Sequence, residues 1–177
     1  MKRPLLKRAF WIPAAILAVL GLGAVAVRFT FLAQTQAALL RGELPPQGSL
    51  GEVLSPKTGC LYFVDAIDDR TFEAFLSKST DTEARGFVIS LLGWKRRSGS
   101  LDYLKSLVAA GGKQSQYATL SVVAIEQRIA FPGRDFASEF YRSYAAKALH
   151  LANKGGISLR ESAQQVAESL RAENAFD

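Results

Sequence analysis

Gly86-Phe87-Val88-Ile89-Ser90-Leu91-Leu92 is the stretch on which the fold turns, because it is apolar on every side but for one serine. A short run of this kind, with β-branched and aromatic residues, reads as a strand covered on both faces. Cys60-Leu-Tyr-Phe-Val-Asp-Ala-Ile67 has the same character upstream, and Thr119 to Ile125 is β-branched enough for a third strand downstream. Periodicity leaves a helix through Leu120, Val123 and Gln127 open as the alternative for that last segment.

The intervening segments carry helical signals. Asp68 and Asp69 offer an acidic start, Phe72, Phe75 and Leu76 an apolar face, and Lys78 a positive end. Ser100 is placed to cap a helix with Leu101, Leu104, Leu107 and Val108 on one side, which Gly111-Gly112 ends. Further on, Phe136, Phe140, Tyr144 and Ala148 recur every four residues within Asp135 to Asn153, and Gly155-Gly156 breaks the pattern. Ser158-Leu-Arg-Glu161 is a capping box opening a helix with Leu159, Ala163, Val166 and Leu170 on one face. The expectation is an α/β fold over residues 60–177: a small β-α-β-α-β domain with parallel strands and right-handed crossovers, closed by a C-terminal αα-hairpin.

The charge distribution sets the rest of the organisation. The formal net charge is +6, and Lys2, Arg3, Lys7, Arg8, Arg28 and Arg41 supply all of it, with no acid among the first 41 residues. Residues 42–177 balance 16 Lys and Arg against 16 Asp and Glu. Phe10 to Val27 is an 18-residue stretch without a charged or polar side chain, long enough to approach the ~30 Å hydrocarbon core at about 1.5 Å per residue. The basic excess therefore reads as the flank of a membrane anchor, not as a nucleic-acid surface.

The anchor residues are Phe10, Trp11, Ile16, Leu17, Leu20, Val25 and Val27, with Trp11 at one interface and Arg28 snorkelling at the other. Residues 1–8 form a basic tail, kept in the cytoplasm by the bias of Lys and Arg. Helical character continues to Leu40, so residues 9–41 are expected to span the bilayer and emerge from it, with Phe29, Leu32 and Leu39 on one side. The emergent turns would pack on the domain or a partner helix, or lie on the bilayer surface. A cleaved signal peptide ending at Ala24-Val25-Ala26 is the competing reading, and both readings export the domain. The apolar residues after Arg28, Phe29, Phe31 and Leu32, favour the uncleaved anchor. Residues 42–59, with four Gly and three Pro, read as a linker.

Chemistry is limited by inventory. The turn after the first apolar run, Asp65-Ala-Ile-Asp68-Asp69, has acids where phosphate binding requires glycines and free amides, and no Walker spacing follows the second run. Nucleotides are thereby excluded. One histidine, His150, and one cysteine, Cys60, show no ligand spacing, so no metal or other cofactor is expected. Cys60 reads as a small buried hydrophobe and His150 as a surface or capping imidazole.

Ser121-Val-Val-Ala-Ile-Glu126-Gln127, followed by Gly156-Ile-Ser158 and Gln164-Gln165, resembles the donor-site elements of membrane-anchored peptidoglycan glycosyltransferases over about 45 residues. That resemblance implies an acid/base role for Glu126. The sequence departs from the pattern where the acid after the Glu is replaced by Gln127, and the spacing from Ser158 to Gln164 is too long. Ile67-Asp68-Asp69 with Phe87-Val-Ile-Ser-Leu-Leu-Gly93 is similar to the opening β-α-β of the crotonase superfamily, which implies an oxyanion-binding glycine pair. Here Gly93 is followed by Trp94.

Trp94, Lys95, Arg96 and Arg97 form a basic aromatic loop suited to a phosphate-bearing lipid head, an acidic partner or a glycan. The sequence thus leads to three expectations. The first is a single-pass protein of a bacterial inner membrane whose periplasmic domain is a non-catalytic accessory or assembly subunit binding another envelope protein. The second is an envelope enzyme acting on peptidoglycan or its lipid-linked precursor through Glu126. The third is a lipid- or glycan-binding module using Trp94 to Arg97.

Overall fold

The computed structural model describes residues 5–45, 64–95, 99–127, 129 and 137–173, with side chains described from Leu17 onward and, in the helix beginning at Ala137, from Tyr141. The chain divides into two compact units, residues 1–34 and 35–177. Among the described residues there are seven α-helices, one 3₁₀ turn and no strand. The helices are α1 (Leu5–Arg41), α2 (Asp69–Lys78), α3 (Thr82–Trp94), α4 (Leu101–Ala110), α5 (Lys113–Glu126), α6 (Ala137–Gly155) and α7 (Leu159–Ala172), with the turn at Val64–Ala66.

The α/β expectation is therefore overturned. Gly86–Leu92 lies inside α3, and Thr119–Ile125 inside α5, the helical alternative for that segment. Cys60 to Phe63 lie outside the described residues, and the remainder of that expected strand is the 3₁₀ turn followed by buried Ile67. The physical reason is that both apolar runs are helices covered on nearly every side. In α3, Ala84, Gly86 and every residue from Val88 to Trp94 are buried; in α5, so are Ala118 and Leu120 to Ala124. A helix in the centre of a bundle loses the 3.6-residue alternation that marks a surface helix, and its apolar run then resembles a doubly covered strand.

The caps locate α3 more firmly than its apolar residues do. Asp81 accepts hydrogen bonds from the amides of Glu83 (2.9 Å) and Ala84 (3.1 Å), satisfying two of the amides left free at a helix N-terminus. Asp68 does the same for α2 through Arg70 N (3.4 Å), and Ser158 for α7 through Glu161 N (3.1 Å). Cationic side chains close two C-termini: Lys78 Nζ donates to Leu40 O (2.6 Å) at the end of α1, and Arg85 to Leu76 O and Ser79 O at the end of α2.

Within the second unit α5 is the hub. It packs on α3 most extensively and also on α4 and α7, while α2 lies on α3 and α6 pairs with α7. Close approach of α3 and α5 is made possible by small residues. Gly93 faces Ser121, and Ser121 Oγ crosses to donate to Ile89 O (2.9 Å). Gly86 lies under the Tyr117 ring. At the α6–α7 contact, buried Ala148 meets Ser162, whose hydroxyl donates to Ala148 O (2.7 Å), with Ala163 and Ala167 also buried. Phe72, Phe75 and Leu76 of α2 are fully buried, each contributing roughly 2–3 kcal/mol.

The end of α1 belongs to this second unit. Thr35, Ala38 and Leu39, spaced i, i+3, i+4, are buried in it. Helical bonding stops at Gly42, whose φ of 83° is the left-handed conformation that a glycine adopts without strain.

Candidate functional site

A concavity lies where the 3₁₀ turn, the N-terminus of α2 and the loop after α3 converge. It is an open cavity of about 640 Å³ lined by Asp65, Ile67, Asp69, Glu73, Lys95 and Gly99 among others. Its floor is a buried ion pair. Lys95 Nζ meets Asp69 Oδ1, with side chains only 6 % and 14 % exposed, and also donates to Ile67 O (2.5 Å). The other Asp69 oxygen accepts the amides of Gly99 and Ser100 (3.1 Å for the latter).

This arrangement explains the local folding. Asp69 stands in the first turn of α2, where the helix dipole favours an anion. Lys95 follows the last turn of α3 and runs its stem past the Phe72 ring, its ammonium 5.6 Å from the centroid. Ser100 occupies the N-cap position of α4, yet its hydroxyl oxygen accepts no amide of that helix, and its proton goes to Glu73 Oε1 (2.7 Å). The carboxylates of α2 thus fasten the α3–α4 connection.

Of the basic aromatic loop, Arg96 and Arg97 lie outside the described residues. Lys95 is committed to Asp69 and Ile67, and Trp94 is buried with its ring 5.3 Å from that of Tyr141 and 6.4 Å from that of Phe87, both edge-on. Around Trp94 lies the most polar part of the core. Tyr141 of α6 sits beside Ser90 and Ser121, whose hydroxyl protons go to Gly86 O (2.8 Å) and Ile89 O (2.9 Å). Burial pushes the Tyr141 phenol up to about 12, the two serine hydroxyls holding it back. Burial raises Tyr144 further, as does Tyr141 beside it.

Glu126 ends α5 at the surface, where Lys105 of α4 (3.3 Å) and Arg160 of α7 (2.7 Å) share its carboxylate. Arg171 donates to neighbouring Gln127 (3.2 Å). Glu126 is therefore a clasp between three helices. Ser158, from the glycosyltransferase-like elements, caps α7, and Gln165 is exposed. Gly93, from the crotonase-like fragment, is the contact point with Ser121 inside α3.

His150 is exposed on α6, and Cys60 lies outside the described residues. Among the described residues no group of three His, Cys, Asp or Glu is placed to hold a metal ion. Of the anchor residues, Leu17, Leu20, Val25 and Val27 are 50–70 % exposed and Arg28 is exposed too; the side chains of Phe10, Trp11 and Ile16 are outside those described. The Asp69–Lys95 pair was missed in the sequence because its members are 26 residues apart; the retrievable signal was a lysine directly after an apolar run.

No protein family, curated protein or solved structure matches the chain. Among the described residues, one helix is long and apolar enough to cross a membrane, its window beginning at Leu17.

Proposed function

We propose that the chain is a single-pass protein of a bacterial inner membrane, its N-terminus cytoplasmic, whose extracytoplasmic domain is a non-catalytic accessory subunit binding another membrane or envelope protein. The observation that carries this reading is the all-round exposure of α1 from Leu17 to Thr30. Leu17, Val19, Leu20, Leu22, Val25, Val27 and Phe29 are each at least half exposed, and at 100° per residue they point in every direction around the helix. A soluble chain does not leave so much contiguous apolar surface in water, and hydrocarbon is the medium that covers a helix uniformly.

Orientation follows from the four cations before the apolar run, against Arg28 and Arg41 after it. The accessory role is supported by how the charged groups of the domain are used. Asp69, Lys95 and Glu126 hold helices to one another, which leaves a rigid bundle with surfaces to present.

The test is purification of the tagged full-length chain from membranes in mild detergent, with mass spectrometry of co-eluting proteins and of the N-terminal peptide. A single membrane or envelope protein at fixed stoichiometry, with Met1 to Arg8 retained, is expected. A lone chain beginning at Val27 would refute the anchored-subunit reading.

A further inference from the structure

From Tyr141 onward, helix α6 carries its charge on one side. Ser143, Lys147, His150 and Lys154 fall at i, i+4, i+7 and i+11 on a single exposed stripe, with Arg142 on its flank, while Tyr141, Tyr144 and Ala148 face the core. Among the described side chains of α6 there is no acid. Arg142, Lys147 and Lys154 make no ion pair with any described residue. Among the described residues, other cations of the domain are engaged: Lys78 and Arg85 on helix ends, Lys95 on Asp69, Lys105 and Arg160 on Glu126.

We infer that this face of α6 is a docking surface for anionic phospholipid headgroups. The inference rests on the anchor proposed above, which keeps the domain within reach of a bilayer. Two observations favour lipid over an acidic protein. A protein interface of useful affinity is built around aromatic or large aliphatic anchors at its centre. The exposed large hydrophobic side chains lie on α1 and at Tyr117, with none on α6 among the described residues. Among the described residues the stripe offers lysines on long stems and His150, with alanine, serine and asparagine between them, a surface suited to contact with headgroups.

Residues 42–177 are balanced in charge, so the domain has no long-range field to draw it to an anionic surface. The stripe works only within a screening length of about 8–10 Å. Tethering removes that limitation, because an anchored domain meets the surface at a high effective concentration.

The experiment places the full-length chain in nanodiscs of phosphatidylcholine, with or without phosphatidylglycerol. Lys147 and Lys154 are then labelled with a water-soluble amine-reactive ester and quantified by peptide mass spectrometry against exposed Lys113. Labelling in the anionic discs is expected to fall by about fivefold, equivalent to about 1 kcal/mol per basic residue at an anionic surface. Raised salt should restore it, and Arg142→Glu should weaken the protection. Equal labelling in both discs, from a chain that resists alkaline extraction, would overturn this inference and leave the anchor standing. A chain released by alkaline extraction would overturn both.

Discussion

Two glycines on the same helix should respond in opposite directions to the same substitution. A β-carbon built on Gly93 would lie 2.7 Å from Ser121 Oγ and 2.8 Å from Ser121 Cα and Cβ. The Cα is part of the α5 backbone and cannot rotate away. Reaching an ordinary carbon contact of about 3.5–4 Å requires α3 and α5 to part by roughly 1 Å at this crossing. Overpacking of a core costs about 1–3 kcal/mol, and loosening the Ser121 to Ile89 hydrogen bond adds about 1 kcal/mol. The better helix propensity of alanine returns about 1 kcal/mol. Gly93→Ala should therefore destabilise the domain by about 1–3 kcal/mol.

At Gly86 the three atoms nearest the β-carbon all belong to the Tyr117 ring, Cε2 at 2.8 Å. That ring is 39 % exposed and can swing outward. Gly86→Ala should then keep most of its propensity gain and range from neutral to about 1 kcal/mol more stable. Thermal melts of the full-length chain in detergent, followed by far-UV circular dichroism, read both. At about 2–4 °C per kcal/mol for a domain of this size, Gly93→Ala should melt several degrees below the parent and Gly86→Ala at or slightly above it. Equal losses at both sites, or a Gly93→Ala variant as stable as the parent, would refute the backbone contact between α3 and α5.

Other consequences follow from the buried groups. The Tyr141 phenol titrates near 12 in the folded chain and near its ordinary 10 when unfolded, so above pH 10 the unfolded chain loses the proton first and stability falls as pH rises toward 12. That loss reaches roughly 2–3 kcal/mol from this group, and urea titrations across this window should show a shallower decline for Tyr141→Phe. Lys95→Ala removes one member of a buried pair and should cost about 3 kcal/mol or somewhat less, because Asp69 keeps the Gly99 and Ser100 amides; a double-mutant cycle with Asp69→Asn should show strong coupling, and additive losses would contradict the pairing. Glu126→Gln should cost under about 1 kcal/mol and leave partner binding intact in the co-purification assay, whereas loss of a peptidoglycan-directed activity on this substitution would revive the catalytic reading.

The sequence displayed what local chemistry dictates. Asp68 before Phe72, Phe75 and Leu76, and Ser158 with Glu161 before Ala163 and Val166, are short-range signals, and α2 and α7 have those caps and faces. The apolar run from Phe10 is equally direct, because its length and lack of charge are read straight from the sequence. The interior helices were not legible, since the cover on the far sides of α3 comes from α5, α2 and the core around Tyr141, up to about 50 residues away in sequence. The candidate site followed the same division. Trp94 and Lys95 were visible as unusual residues, but their partners Tyr141 and Asp69 come from other helices.

Three helices of this chain, α1, α3 and α5, carry apolar residues on nearly every side, and length decides what covers each one. At about 1.5 Å per residue, the 13 residues of α3 and the 14 of α5 reach only about 20 Å, short of the ~30 Å hydrocarbon core. They also carry Arg85 and Lys113. Only other helices can cover them, and the glycines and serines at their crossing let them cover each other. The candidate span of α1, Leu17–Arg41, is 25 residues with none of its apolar window buried. Its glycines, Gly21 and Gly23, meet nothing within 4 Å, whereas Gly86 and Gly93 are filled by a neighbour. Apolar helices thus build a bundle core at one length and, at the other, reach the length that crosses a membrane. The helical state of Gly86 to Leu92 separates the two cases: α3 and α5 bury one another, whereas residues 17–30 of α1 are exposed along their length.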